Sequence, residues 1–121
     1  MVAALVFFVF FATPAFAQQD VEQQKIAYLI ASVAALQDAT FIRNGQEYDA
    51  KRAAAHMRLK LHYAGERIKT AENFIACCGT GSSMSGTPYK IRFHDGRTVD
   101  SATFLRAKLA EYAPGAANQT R

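Results

Sequence analysis

The spacing of apolar positions along this chain changes period several times, and each change marks an element. From Val21 to Gln37, Ile26, Leu29, Ile30, Val33 and Leu36 recur at helical spacing, which predicts an amphipathic first helix. Residues 38 to 50 switch to alternation. In FIRNGQEYD (41–49), Phe41 and Arg43 are two apart and share a face, Ile42 points the other way, and Glu47 and Tyr48 form the return strand. Asn44-Gly45 supplies the two-residue turn, because both central residues of such a turn must accept positive φ. Asp49 then caps a second helix from Ala50 to about Arg67. At 100° per residue, Ala54, Met57, Leu61, Ala64 and Ile68 form its core side, and His56, Lys60, Tyr63 and Arg67 an adjacent stripe. Gly65 weakens its last turn. Thr70 starts a shorter third helix through Phe74 and Ile75 to near Gly79.

GTGSSMSGTPY (79–89) breaks regular structure as a Gly/Ser loop. Tyr89 to Phe93 alternates as a strand, His94-Asp95-Gly96-Arg97 turns, and Thr98-Val99 begins a return strand. Asp100 or Ser101 caps a last helix with Phe104, Leu105 and Leu109 inward, stopping at Pro114-Gly115. This order predicts an α+β fold of about four helices packed on a small antiparallel sheet, made of the hairpin and the strand pair.

Ahead of all this lies MVAALVFFVFFATPAFA, an apolar run that ends in the small-x-small pattern Ala15-Phe16-Ala17. It is shorter than the roughly 20 residues a spanning helix needs, so it reads as a signal peptide over residues 1–17. Residues 18–113 then form a single domain and 114–121 a flexible tail. A periplasmic or secreted protein with no transmembrane segment after cleavage near Ala17 is expected.

All of the formal charge of +4 belongs to the part after Ala17. Between Lys51 and Lys69 six basic residues stand against the single acid Glu66, so a local positive field is expected there. It suits an anionic envelope component or a periplasmic partner protein; nucleic acid fits the basic helix but not the compartment. The two cysteines, Cys77 and Cys78, are adjacent and do not form an ordinary bridge. Either one is buried as a small hydrophobe, or an exposed one pairs between chains. His56, His62 and His94 show no metal-like spacing to them, so neither metal nor cofactor is expected.

FIRNG, AAAHMRLKL (53–61), RIKTAENFI (67–75) and SSMSGTPYKI (82–91), met in that order, resemble the YfeK-like family of small exported bacterial proteins of unknown function. The resemblance covers Ala39 to Leu109 and implies a signal-bearing periplasmic domain with no assigned activity. Some members of that family carry cysteines near the hairpin or after Pro88; here Thr40, Ala50 and Phe93 stand nearby.

The candidate ligand-binding residues are Arg43, His56, Lys60, Ser83, Ser85 and Tyr89. His56 and Lys60, one helical turn apart, face the same way and suit an anion. Ser83 and Ser85 sit where backbone amides could cradle an anion, although the spacing is not that of a nucleotide-binding loop. Arg43 is expected to hold Glu47 across the turn, or carbonyls of the Gly/Ser loop, with its planar fork. The leading reading is a non-enzymatic binding module. The alternative is a small hydrolase in which Ser83 or Ser85 is activated by His56; that requires hydrogen-bond reach and an orienting acid. No residue is assigned as catalytic from the sequence.

Overall fold

A computed structural model describes residues 14–82 and 84–112, with side chains from Gln18 onward. The expected signal segment up to residue 13, Ser83 and the expected tail 114–121 lie outside the described residues. Helix α1 spans Pro14–Ala34, starting ahead of the expected Val21. Gln18, Gln19 and Asp20 are exposed, and burial begins at Val21 and Glu22. The helix stops short of Gln37 because the Leu36 amide turns back to the Val33 carbonyl and Asp38 enters the left-handed region at φ 54°. That reversal feeds strand β1.

The hairpin forms as its turn chemistry dictates. Strands β1 (Thr40–Arg43) and β2 (Gln46–Tyr48) are joined by Asn44 at φ 51° and Gly45 at φ 77°. Strands β3 (Lys90–Arg92) and β4 (Thr98–Asp100) form the second antiparallel pair. Phe41 stands opposite both Tyr48 and Ile91, so β1 and β3 join the two pairs into one sheet of order β2-β1-β3-β4. The fold is α+β, as expected. Alternation puts Phe41 and Ile91 on the core side. The outer side carries two cross-strand ion pairs, Lys90–Asp100 and Arg92–Glu47, both half exposed and worth about 0–1 kcal/mol each.

Helix α2 (Ala50–Ala64) begins where the Asp49 carboxylate accepts the Arg52 amide at 2.8 Å. It ends three residues before the expected Arg67, because Gly65 adopts φ 54° and a short 3-10 turn, Gly65–Arg67, follows. Its core stripe holds at Ala54, Met57 and Ala64, whereas Leu61 and Ile68 are only partly buried. Helix α3 (Ala71–Phe74) is four residues long and depends on its caps. Thr70 Oγ1 accepts the Asn73 amide at 3.0 Å, and the Glu22 carboxylate of α1 accepts the Ala71 amide at 2.9 Å. The latter bond, with Lys25 beside it, holds Glu22 below the usual carboxylate range.

A π-helical turn, Ile75–Gly79, continues α3 and sends Ile75 and Cys78 into the core while Cys77 stays exposed. Cys78 is thus the buried small hydrophobe of the two readings given above, and burial pushes its thiol up to about 12. Helix α4 (Ser101–Glu111) lays Leu105 directly on Gly79, where an added Cβ would come within 2.3 Å of the leucine Cδ1. The centre of the core is Leu29 and Val33 of α1 with Phe74, Ile75, Ile91 and Leu105, none of them exposed. Phe104 and Leu109, expected inward, are half-buried at its edge.

Candidate functional site

Lys60 and the Gly/Ser loop act on each other. Lys60 Nζ donates to the Gly81 carbonyl at 3.3 Å and to the Tyr89 hydroxyl at 3.2 Å, so it straps α2 to the loop. Gly81 bridges to Pro88 so closely that a Cβ would lie 2.7 Å from the Thr87 carbonyl oxygen. The loop then uses its own donors. The Met84 and Ser85 amides donate to Ser82 Oγ, Gly86 to the Ser82 carbonyl, and Thr87 to Ser85 Oγ. Ser85 Oγ donates to Asn44 Oδ1 at 2.7 Å, which fastens the loop to the hairpin turn. With those four amides committed, they form no cradle for an anion. Ser83 lies outside the described residues.

The other expected site residues gather elsewhere. Between the β1–β2 hairpin and α2 lies a cavity of about 260 Å³, closed by Tyr89 and by the first residue of α4. Phe41, Ile42, Ala53 and Met57 make its apolar walls, and Tyr48, Arg43, Arg52, His56, Tyr89 and Ser101 its polar ones. Arg43, His56 and Ser101 each bury a polar atom with no hydrogen-bond partner: Nε, Nε2 and Oγ respectively. Among the described residues these are all the buried side-chain polar atoms left so, and all three belong to this cavity. An unsatisfied buried group costs about 1–3 kcal/mol. A fold that concentrates three of them in one cavity carries that cost at a functional place rather than at random.

Arg43 and Arg52 make the field in the cavity positive, and among the described residues no carboxylate lines it. Asp49 caps α2, Asp100 pairs with Lys90, and Glu47 pairs with Arg92. The expected Arg43–Glu47 contact does not form. The register sets Glu47 opposite Ile42 and Arg43 opposite Gln46, so Glu47 projects from the other side of the sheet. The second expected role, a grip on loop carbonyls, is filled by Lys60. Arg52 stacks 5.2 Å above the Tyr48 ring at the cavity wall.

Burial, then the charges of Arg43 and Lys60, hold the His56 imidazole below its ordinary 6.5. The unfolded chain therefore takes up this proton near pH 6.5 and the folded chain only at lower pH. Between those values the unfolded state binds more protons, so stability present above pH 6.5 is lost as the pH falls through that window. Denaturant melts from pH 7.5 to 5 are expected to show this loss, and His56→Asn is expected to flatten it. An unchanged slope in the variant would assign the loss to other groups.

Of the expected site residues, Arg43, His56 and Tyr89 come together in the cavity. Lys60 braces it through Tyr89, and Ser85 serves the hairpin turn. Arg52, Tyr48 and Ser101 escaped sequence reasoning. Arg52 stands four residues before His56 on one helix and was legible as its neighbour. Ser101 reads as a helix cap until the fold brings α4 against Tyr89, whose carbonyl accepts the Ser101 amide at 2.8 Å. Among the described residues no cluster of His, Cys, Asp and Glu could hold a metal ion, and no helix is long and apolar enough to cross a membrane.

Fold and site together define a small α+β domain with a cation-lined cavity. The chain belongs to a family of unknown function (DUF5329), whose model matches residues 20–113. It is also 40% identical over 68 residues to the uncharacterized protein YfeK of Salmonella typhimurium, across 56% of this chain and 57% of that protein. The chain thus matches little more than half the length of that relative. The YfeK-like resemblance read from the four sequence blocks is borne out. No solved structure matches.

Proposed function

We propose that this chain is a non-enzymatic binding module of the bacterial envelope that takes a small anionic component into the cavity between the β1–β2 hairpin and α2. The observation that carries this reading is the gathering of Arg43 Nε, His56 Nε2 and Ser101 Oγ, buried and unpaired, in a cavity with two guanidinium groups and no acid. Anions satisfy such groups, and concave sites with a few convergent polar groups are where small ligands bind. The hydrolase alternative loses support at Ser85, whose Oγ is held by Asn44 while His56 Nε2 has no partner; its other serine, Ser83, lies outside the described residues. A partner protein would meet the basic outer face of α2 instead.

An exported location fits this reading. Removal of residues 1–17 would trim α1 ahead of Gln18, Gln19 and Asp20, which are exposed, and would spare Ile26, Leu29 and Ile30 in the core. Mass spectrometry of the periplasmic fraction is expected to find a mature start at Gln18; an intact Met1 form in the membrane would overturn the export claim. The binding claim is tested by native mass spectrometry of the protein after incubation with the low-molecular-mass fraction of envelope extract. A retained species absent from the Arg43→Gln protein is expected. No adduct, or one indifferent to Arg43, would contradict it.

A further inference from the structure

We infer that the ligand of this cavity is a small carboxylate with a short apolar body, an inference that rests on the anion-binding reading above and narrows it. The polar side of the cavity is made of side chains that need acceptors. Arg43 offers the Nε edge of its guanidinium, which with a neighbouring Nη matches the two oxygens of a planar carboxylate. Ser101 is wholly buried, and its hydroxyl hydrogen has no acceptor among the described residues. It is also the first residue of the eleven-residue α4, where the aligned peptide dipoles favour negative charge.

His56 is neutral near pH 7, because burial and the flanking Arg43 and Lys60 charges oppose its protonation. In the Nε2–H tautomer it is a third donor. A carboxylate presents two oxygens with about four lone-pair sites, enough for all three donors.

The remaining walls decide between carboxylate and phosphate. Of the other polar residues in the lining, Tyr48 gives its hydroxyl proton to Gln46, Arg52 lies over the Tyr48 ring and the Tyr89 hydroxyl is bonded to Lys60, while Phe41, Ala53 and Met57 donate nothing, so the extra oxygens and second charge of a phosphoryl dianion would lie largely against hydrocarbon. Among the described residues the Gly/Ser loop contributes only Tyr89 to the cavity, and its amides from Met84 to Thr87 are bonded internally. An apolar body on the ligand instead covers those walls and gains from leaving water. The cavity, about 260 Å³, is small for a ligand site, which suits an acid with a short chain or a single ring. Benzoate and hexanoate are of that size.

The test is isothermal titration of the purified protein at pH 7 with benzoate and hexanoate, compared with acetate, benzyl alcohol and phenyl phosphate. Benzoate and hexanoate are expected to bind one to one, at least tenfold tighter than acetate, which lacks the body, and benzyl alcohol, which lacks the charge. Arg43→Gln is expected to weaken benzoate at least tenfold and Ser101→Ala several-fold. Ala53→Leu fills the apolar end and is expected to block benzoate while sparing the polar groups, and it keeps the test open if Arg43→Gln folds poorly. Phenyl phosphate binding tighter than benzoate, with the same Arg43 dependence, would overturn the carboxylate class and leave the anion site standing. Failure of every anion, or binding untouched by Arg43→Gln and Ala53→Leu, would overturn both.

Discussion

Phe74→Ala is expected to cost about 3–5 kcal/mol, a large part of the 5–15 kcal/mol that holds a typical domain folded. Phe74 is the largest side chain with no exposure, and it sits on a helix of only four residues. Such a helix has little stability of its own, so its position depends on this ring, on the Thr70 cap and on the Glu22 carboxylate. Truncation leaves a void in the core where α3 packs on α1, and the π-helical turn that carries Ile75 and Cys78 loses its support. Urea unfolding measures the effect as a fall in midpoint. Leu59→Ala on the exposed face of α2, half exposed at 50%, is the control and is expected to stay within about 0.5 kcal/mol of wild type. Equal effects of the two substitutions would show that the core is not centred where it is described.

Arg43→Met is expected to act in opposite directions on stability and on binding. The guanidinium Nε is buried without a partner, and its charge presses on the neighbouring imidazole of His56. Methionine fills similar space with a flexible apolar chain and removes the unpaired donor, while the repulsion it also lifts counts only below pH 6.5, where His56 could take up a proton. The ligand-free protein is expected to gain about 1 kcal/mol, which for a domain of this size raises Tm by about 4–8 °C. The same change removes the principal anion donor, so affinity for benzoate is expected to fall at least tenfold. A variant that is more stable but binds poorly is the mark of a residue kept for function. Were Arg43 the structural fork expected from its place in the hairpin, the substitution would destabilise the protein instead.

Where the fold was legible, a local rule with no rival produced it. Asn44-Gly45 and Asp49 could form only a turn and a cap, and both do. Ile26, Leu29, Ile30 and Val33 could bury only one face of α1. The misreadings arose where the outcome depended on partners distant in the chain. Periodicity alone carries α2 on to Arg67, but the left-handed Gly65 stops it. Asp100 sits at the head of α4 as read, yet its carboxylate goes to Lys90, a partner visible only once β3 and β4 pair. The site followed the same division. Arg43 and His56 were found from their faces on a strand and a helix. Ser101 was not, because its membership of the cavity depends on β1 pairing with β3, and no local pattern encodes that pairing.

The central claim is that Arg43, His56 and Ser101 form an anion site, and the side-chain resonances of the first two report on it directly. In a benzoate titration of isotopically labelled protein at pH 7, the Arg43 Nε–Hε cross-peak and the His56 imidazole signals are predicted to shift together and saturate with one affinity. Arg58 and His62, which line the groove between α1 and α2, are predicted to stay still. Arg43 and His56 unmoved while Arg58 and His62 respond would contradict the account.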